Sequence, residues 1–273
     1  MNGILQTSTR REVETNAARQ RVARAFARGA PTYDRHAELQ RHVADRLLRQ
    51  MPTINDDATV VDLGCGTGYC TQLIRQRTSM ATVIGLDLAV PMLQLTRQRC
   101  GERLPLLCAD AQSLPLRDAS SDLIVSSLTV QWCNDVRKLF AELQRVLRPG
   151  GCVLLSTLGP ETLQELRAAW AQVDASRAGN EFVSHAVLLA AAHAAGLYAN
   201  ITTELRVRHY QSLNALVREL KALGANAATS ANPIVAAPAA FKAASAAFAN
   251  KREPSGIPVS WEIFYLRLQK PVA

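Results

Sequence analysis

The stretch V60-V-D-L-G-C-G-T-G-Y-C70 decides how this chain of 273 residues is read. A short apolar run ends in a loop with glycine at 64, 66 and 68. Glycine has no Cβ and tolerates left-handed backbone, so such a loop lets the main chain come close to a ligand. A phosphate-binding P-loop needs Lys and Ser/Thr directly after its last glycine, where Tyr69 and Cys70 stand. A dinucleotide loop puts its third glycine at position 69, one residue later than here. Asp62, two residues before the first glycine, would also repel a pyrophosphate. What remains is a ligand that carries positive charge next to a nucleoside.

Outward from the loop, strand-like and helix-like segments alternate. Residues 59–63, 81–86, 104–108, 121–127 and 152–157 read as strands. Residues 69–77, 90–100 and 135–147 read as helices, the last with apolar positions at Val136, Leu139, Phe140, Leu143, Val146 and Leu147. R148-P-G-G151 stops that helix, since proline cannot continue it and glycine turns the chain. This alternation implies βαβ units and a parallel sheet covered on both faces. Upstream, 10–29 and 35–50 read as two helices joined by the turn 29–34. Downstream come a helix at 159–170 with Pro160 near its first turn, a helix at 184–195 and a strand at 201–207. Ala-rich helices at 212–221 and 236–249 follow, then an alternating strand at 259–268 with Trp261, Ile263 and Tyr265 on one face. Helices inserted between two late strands look like a cap over the active face; the plainer alternative is packing on the sheet edge. The division expected is a helical lid over 1–52 and a main domain over 53–273, with the cap at about 211–256.

Composition excludes several function classes. Hydrophobic residues at 48% and charged ones at 20% describe a soluble domain with a real core. The apolar run 186–192 is far too short for a bilayer span. The first dozen residues lack the apolar segment of a secretory signal, and Glu12 and Glu14 argue against a transit peptide. Six cysteines (65, 70, 100, 108, 133 and 152) form no CxxC pair, which suits a reducing cytoplasm. Five histidines without HxxxH or Cys/His grouping leave no expected metal site. The net charge of +8 suggests nucleic acid, but aromatic residues are only 5% and the arginines are interleaved with acids, so no stacking stripe exists. A modest positive field also suits an acidic protein partner, or is simply a solvated surface.

The strand ends carry the chemistry. Asp62 can face an amino group, directly or through water. Asp87 ends the second strand, where dinucleotide folds place an acid on the ribose hydroxyls. Asp110, in C108-A-D-A111, falls near the base, where it could accept from an exocyclic amine. A lone GxGxG is weak; three acids at the carboxyl edge of one sheet are strong together.

At this point the chain resembles the class I S-adenosylmethionine-dependent methyltransferases, in D62-L-G-C-G-T-G68, Asp87, the stretch DAQSLP from Asp110 to Pro115, and R145-V-L-R-P-G-G151. The resemblance implies an α/β, Rossmann-like fold with a seven-stranded, mostly parallel sheet, helices on both faces, an N-terminal helical lid and a late helical cap. It implies S-adenosylmethionine as cofactor, held by Asp62, Gly64, Gly66, Gly68, Asp87, Leu88, Asp110, Ala111, Gln112 and Ser127. Outside that core, six stretches resemble the malonyl-acyl-carrier-protein O-methyltransferases of biotin synthesis. They are A25-F-A-R-G-A-P-T-Y-D-R-H-A-E-L-Q-R41, L128-T-V-Q-W-C133, residues 157–174, L220-K-A-L-G-A225, N180-E-F182 and PVSWEIFY from Pro258 to Tyr265. The match is thinnest over 226–254. That family esterifies the free carboxylate of a malonyl thioester, so malonyl-acyl carrier protein or malonyl-coenzyme A is the implied substrate. Nucleic acid and membrane are not expected partners.

A malonyl carboxylate is ionised at neutral pH, so no general base is required, and the sequence offers no Ser/His/Asp or Cys/His set. Candidate groups to orient the carboxylate are Tyr33 and Arg41 in the lid and Arg218 and Lys221 in the late helix, with Gln131 and Trp132 at the substrate edge. Tyr33 could instead pack on the methionine end of the cofactor, and exposed Arg and Lys on helices are more often solvated than ligating. Trp132 is equally open between substrate contact and core packing; Trp170 reads as core. Another small-acid carboxyl methyltransferase would share the core features. Some relatives keep the fold as protein hydroxylases or assembly factors; V130-Q-W132 and A169-W-A-Q-V-D174 lean toward the biotin enzyme.

Overall fold

The computed structural model describes residues 2–78, 80–174, 182–225 and 238–272, with side chains from residue 16 onward. Asn180 and Glu181, and the part of the Ala-rich stretch at 226–237, lie outside the described residues. The strands are β1 (Thr59–Leu63), β2 (Thr82–Asp87), β3 (Leu106–Cys108), β4 (Ser121–Ser127), β5 (Leu147–Leu158), β6 (Tyr198–Tyr210) and β7 (Ile257–Gln269). They form one sheet in the order β3-β2-β1-β4-β5-β7-β6. β1 to β5 pair in parallel, and β7 runs antiparallel to both its neighbours. The order reverses between β1 and β4, which opens a crevice at their carboxyl ends, where open α/β sheets bind ligands.

The helices are α1 (Asn2–Gly29), α2 (Tyr33–His36), α3 (Glu38–Leu48), α4 (Tyr69–Arg77), α5 (Val90–Cys100), α6 (Val136–Val146), α7 (Gln164–Ala171), α8 (His185–Ala194), α9 (Leu213–Ala222) and α10 (Pro238–Ala249). Strand side chains alternate between faces, and the sheet shows it: Val60, Leu123 and Ile263 pack with α3, α4, α9 and α10, while Val61, Ile124 and Phe264 pack with α6 and α8. On α6 the apolar stripe Leu139, Phe140, Leu143 and Val146 is fully buried, each side chain contributing about 1.5–3 kcal/mol. Asp135 starts that helix by accepting from the Lys138 amide at 3.0 Å.

Of the differences from the sequence reading, four concern the late strands and α7. β5 begins at Leu147, because that residue pairs with Ser121 and the register then slips, leaving 148–151 as a bulge inside the strand. β6 is 13 residues long, since its whole length pairs with β7. β7 is buried on both faces, so Phe264, Leu266 and Leu268 are as enclosed as Trp261, Ile263 and Tyr265. α7 starts at 164 because 160–163 is tied to β7: Thr162 Oγ1 donates to the Glu262 carbonyl at 3.0 Å and Leu163 N to the Ser260 carbonyl at 2.8 Å.

Candidate active site

The glycine loop takes the conformation that its residues allow. Gly64, Gly66 and Gly68 have φ of 75°, 55° and 82°. A Cβ at Gly64 would lie 2.1 Å from Thr129 Oγ1, and one at Gly68 would lie 3.0 Å from Thr96. At Gly66 a Cβ would meet nothing within 4 Å; there the bare backbone faces open space. Asp87 ties the loop to β2, accepting from Gly66 N at 2.9 Å and from Ala89 N at 2.8 Å. Burial raises its carboxyl pKa, against the pull of those amides. Asp62 lies beneath the loop, 1% exposed. One of its oxygens accepts from Thr71 Oγ1 at 2.5 Å, and Oδ1 is buried with no partner among the described residues.

A cavity of about 190 Å³ opens over this loop, many times the space one water needs. Leu63, Gly64, Gly66, Asp87, Leu88, Asp110, Ala111, Gln112 and Ser127 line one side. Asp62 and Gly68 do not reach its wall. Asp110 is fixed by its own turn: its Oδ1 accepts from Gln112 N at 3.0 Å, and Gln112 Oε1 accepts from Asp135 N at 2.8 Å.

The roof is helical. Arg19, Val22 and Phe26 project from one face of α1, and Tyr33 follows at the start of α2. Arg19 Nε stands 2.6 Å from Asp110 Oδ2, an ion pair across 91 residues of sequence that closes the roof over the expected base-side acid. Phe26 meets Trp132 edge-on at 5.0 Å and Tyr33 at 6.5 Å. Tyr33 is half-buried, and burial around its hydroxyl with the charges of Asp87 and Asp34 raises the hydroxyl pKa. Trp132 and Gln131 line the cavity, and Gln131 is braced between the Leu128 carbonyl (2.8 Å) and Thr157 Oγ1 (3.1 Å).

The far wall comes from α7, α9 and β7: Leu163, Leu166, Arg167, Trp170, Val217, Leu220 and Trp261. Here the cations expected from the sequence are elsewhere. On α9 the buried stripe is Leu213, Leu216 and Val217, so Arg218 and Lys221 point outward, exposed and off the cavity wall. Arg41 lines a smaller cleft behind the loop, where it donates to the Asp34 carbonyl at 2.7 Å. Sequence reasoning passed over Arg19, Gln40 and Arg167, all of which line the cavity. They are helical residues brought in from outside the nucleotide motifs, and only the spacing of Arg19 with Val22 and Phe26 carried a local signal. Trp170, read as core, is both buried and on the cavity wall. Cys133 also reaches the cavity, but burial pushes its thiol up to about 12, which leaves no thiolate nucleophile at neutral pH.

Residues 61–155 match the family model described as "Methyltransferase domain". The chain is 44% identical to the malonyl-acyl-carrier-protein O-methyltransferase of Serratia marcescens, over 76% of this chain and 79% of that one. It is 37% identical to the enzyme of that name from Dechloromonas aromatica, covering 94% and 96%. With the biotin biosynthesis bifunctional protein BioHC of Cellvibrio japonicus it shares 42% identity over 94% of this chain, spanning about half (51%) of that longer relative. Among solved structures, the YcgJ protein of Bacillus subtilis superposes with a TM-score of 0.58 at 18% identity, over 85% of this chain and 99% of that one. A geranyl diphosphate C-methyltransferase of Streptomyces coelicolor gives 0.50 at 14%, over 84% and 78%. Those two likenesses concern the fold, which does not set the methyl acceptor. The near full-length identities do more: this chain belongs to the malonyl-acyl-carrier-protein O-methyltransferase family.

Proposed function

We propose that this chain methylates the free carboxylate of a malonyl group carried on acyl carrier protein, or on coenzyme A, using S-adenosylmethionine, at the entry to biotin synthesis. The observation that carries the reading is one cavity with two unlike walls. The glycine loop and strand-end acids form one wall, and an apolar wall with a single arginine faces them. The residues fit the cofactor. We read Gly66 as leaving its backbone open to it, Asp87 and Asp110 on the cavity wall as acceptors for ribose and adenine, and Asp62, beneath the loop with Oδ1 unpaired among the described residues, as meeting the cationic ammonium through a water.

Bound there, the cofactor supplies a methyl on a sulfonium. Transfer to a carboxylate oxygen would form an O–CH₃ bond as the C–S bond broke, with a neutral thioether as the leaving group. Opposite charges vanish along that path, so an apolar, water-poor wall favours it. No proton moves, so the acceptor side needs no base, and the described residues of the apolar wall present none there, only Arg167. Orientation is then the main contribution of the protein, worth up to roughly 7–11 kcal/mol in well-aligned systems. Tyr33, Gln131 and Trp132, on the roof and edge of the cavity, are in position to do part of it.

The test is mass spectrometry of malonyl-acyl carrier protein after incubation with the protein and S-adenosylmethionine, with acetyl-acyl carrier protein as control. One added methyl on the malonyl form alone is the expected result. Cofactor binding without transfer to malonyl thioesters would shift the reading to another small carboxylic acid or to an accessory or hydroxylase role.

A further inference from the structure

Given the proposed function, on which this inference rests, we infer that Arg167 is the cation that seats the malonyl carboxylate, with the Trp170 indole beside it. Among the described residues only Arg19 and Arg167 bring positive charge to the cavity wall. Arg19 is neutralised by Asp110 at 2.6 Å. Arg167 donates to the carbonyls of Pro160 and Thr162, which are uncharged, and no carboxylate among the described residues pairs with it. Two of the five guanidinium N–H groups suffice for those bonds, and the remainder can meet a carboxylate.

Trp170 follows three residues later, on the same face of α7. It is 2% exposed and lines the cavity, and among the described residues its buried Nε1 has no acceptor. A buried donor left unpaired is costly and is expected to find a partner. One entering acyl group satisfies both: its carboxylate pairs with Arg167, and a carboxylate or thioester oxygen accepts from Trp170.

The helix that bears them is held rigidly. Glu165 accepts from Ser260 N at 2.9 Å and Ser260 Oγ at 2.6 Å. Thr162 Oγ1 exchanges bonds with the Glu262 backbone at 3.0 and 3.1 Å. Leu163, just ahead of α7, keeps a left-handed φ of 58° that a leucine adopts only under constraint. A cation so placed reads charge. It favours the malonate form, has nothing to grip on an acetyl group, and releases the product once esterification has removed the negative charge.

The experiment compares wild type with R167Q, R167K and W170F, using malonyl-, monomethyl-malonyl- and acetyl-acyl carrier protein. Turnover is followed by mass spectrometry, and acyl-carrier binding by calorimetry with S-adenosylhomocysteine present. Wild type should bind the malonyl form over its methyl ester. R167Q should lose that preference and about 100-fold or more in kcat/KM, with S-adenosylhomocysteine affinity unchanged. R167K should retain part of the preference, and W170F should weaken both acyl forms alike. If R167Q proves misfolded, shown by loss of S-adenosylhomocysteine binding, the preference ratio in R167K decides in its place. Retention of full charge preference in the folded variant overturns the role of Arg167 while leaving the proposed function intact. Absence of transfer by wild type overturns the proposed function, and this inference with it.

Discussion

Asp62 is an acid placed where charge is expensive. Burial, opposed by the Thr71 hydrogen bond and reinforced by the charge of Asp87, pushes its carboxyl from 3.8 to about 7. The folded protein therefore keeps a proton that the unfolded chain gives up near pH 4. Its contribution to stability is complete below about pH 4, falls as pH climbs to about 7 and then levels off. Asp62→Asn cannot ionise and escapes that loss, at most about 4 kcal/mol. The ligand-free variant should melt above wild type at pH 8, with the gap closing toward pH 4. A gap independent of pH in scanning calorimetry would show that Asp62 is not proton-linked. Asp87 acts differently, because its two oxygens already organise the Gly66 and Ala89 amides. Asp87→Ala should weaken S-adenosylhomocysteine binding by about 10–100-fold, from the loss of hydrogen bonds to a charged group. Unchanged affinity by calorimetry would remove Asp87 from the cofactor site.

At the scale of elements, the contact between α1 and the end of α9 sets how the roof sits. A Cβ at Gly29 would lie 2.8 Å from Gly224 N and 3.0 Å from the Ala222 carbonyl, and Thr32 Oγ1 donates to that same carbonyl at 3.0 Å. Gly29→Val should push α1 off α9 and loosen the Arg19–Asp110 pair. The expected result is a cofactor dissociation rate raised about 10-fold, the worth of a partly buried ion pair and its packing, with the sheet's thermal transition little changed. An unchanged dissociation rate by stopped-flow would mean that the roof does not retain the cofactor. The same scale explains what the sequence could disclose. β1, α4, α5 and β4 were legible to the residue, because each is bounded by its own turn chemistry. β6 and the start of α7 were not, because their limits are set by pairing with β7, some 50 to 100 residues away. The site divides in the same way. Asp87 and Asp110 could be placed at the cavity because one ends a strand and the other follows one by two residues, whereas Arg19 reaches Asp110, and Arg167 the cavity, only through the packing of remote helices.

At the scale of the whole molecule the question is what the net charge of +8 does. Arg21, Arg24 and Arg28 are exposed on α1, away from the cavity-facing Val22 and Phe26, and Arg218 and Lys221 are exposed on α9, the helix whose end α1 touches. No carboxylate among the described residues is paired with any of the five. Charges placed outside a cavity cannot hold a malonyl group within it, but they can steer an acidic carrier toward its mouth. Reversal of both charges on α9, R218E with K221E, should therefore raise KM for malonyl-acyl carrier protein about 10-fold, with kcat little changed. Turnover of malonyl-coenzyme A, which has no protein surface to dock, should fall far less. The carrier penalty should also shrink as ionic strength rises from about 0.05 M to about 0.5 M, because exposed charges are screened over a few ångströms in strong salt. Initial-rate kinetics on both thioesters at the two salt concentrations decide it. Equal losses on carrier and coenzyme A, insensitive to salt, would return Arg218 and Lys221 to the substrate pocket. No loss on either would leave them as solvated surface and the net charge without a partner on this face.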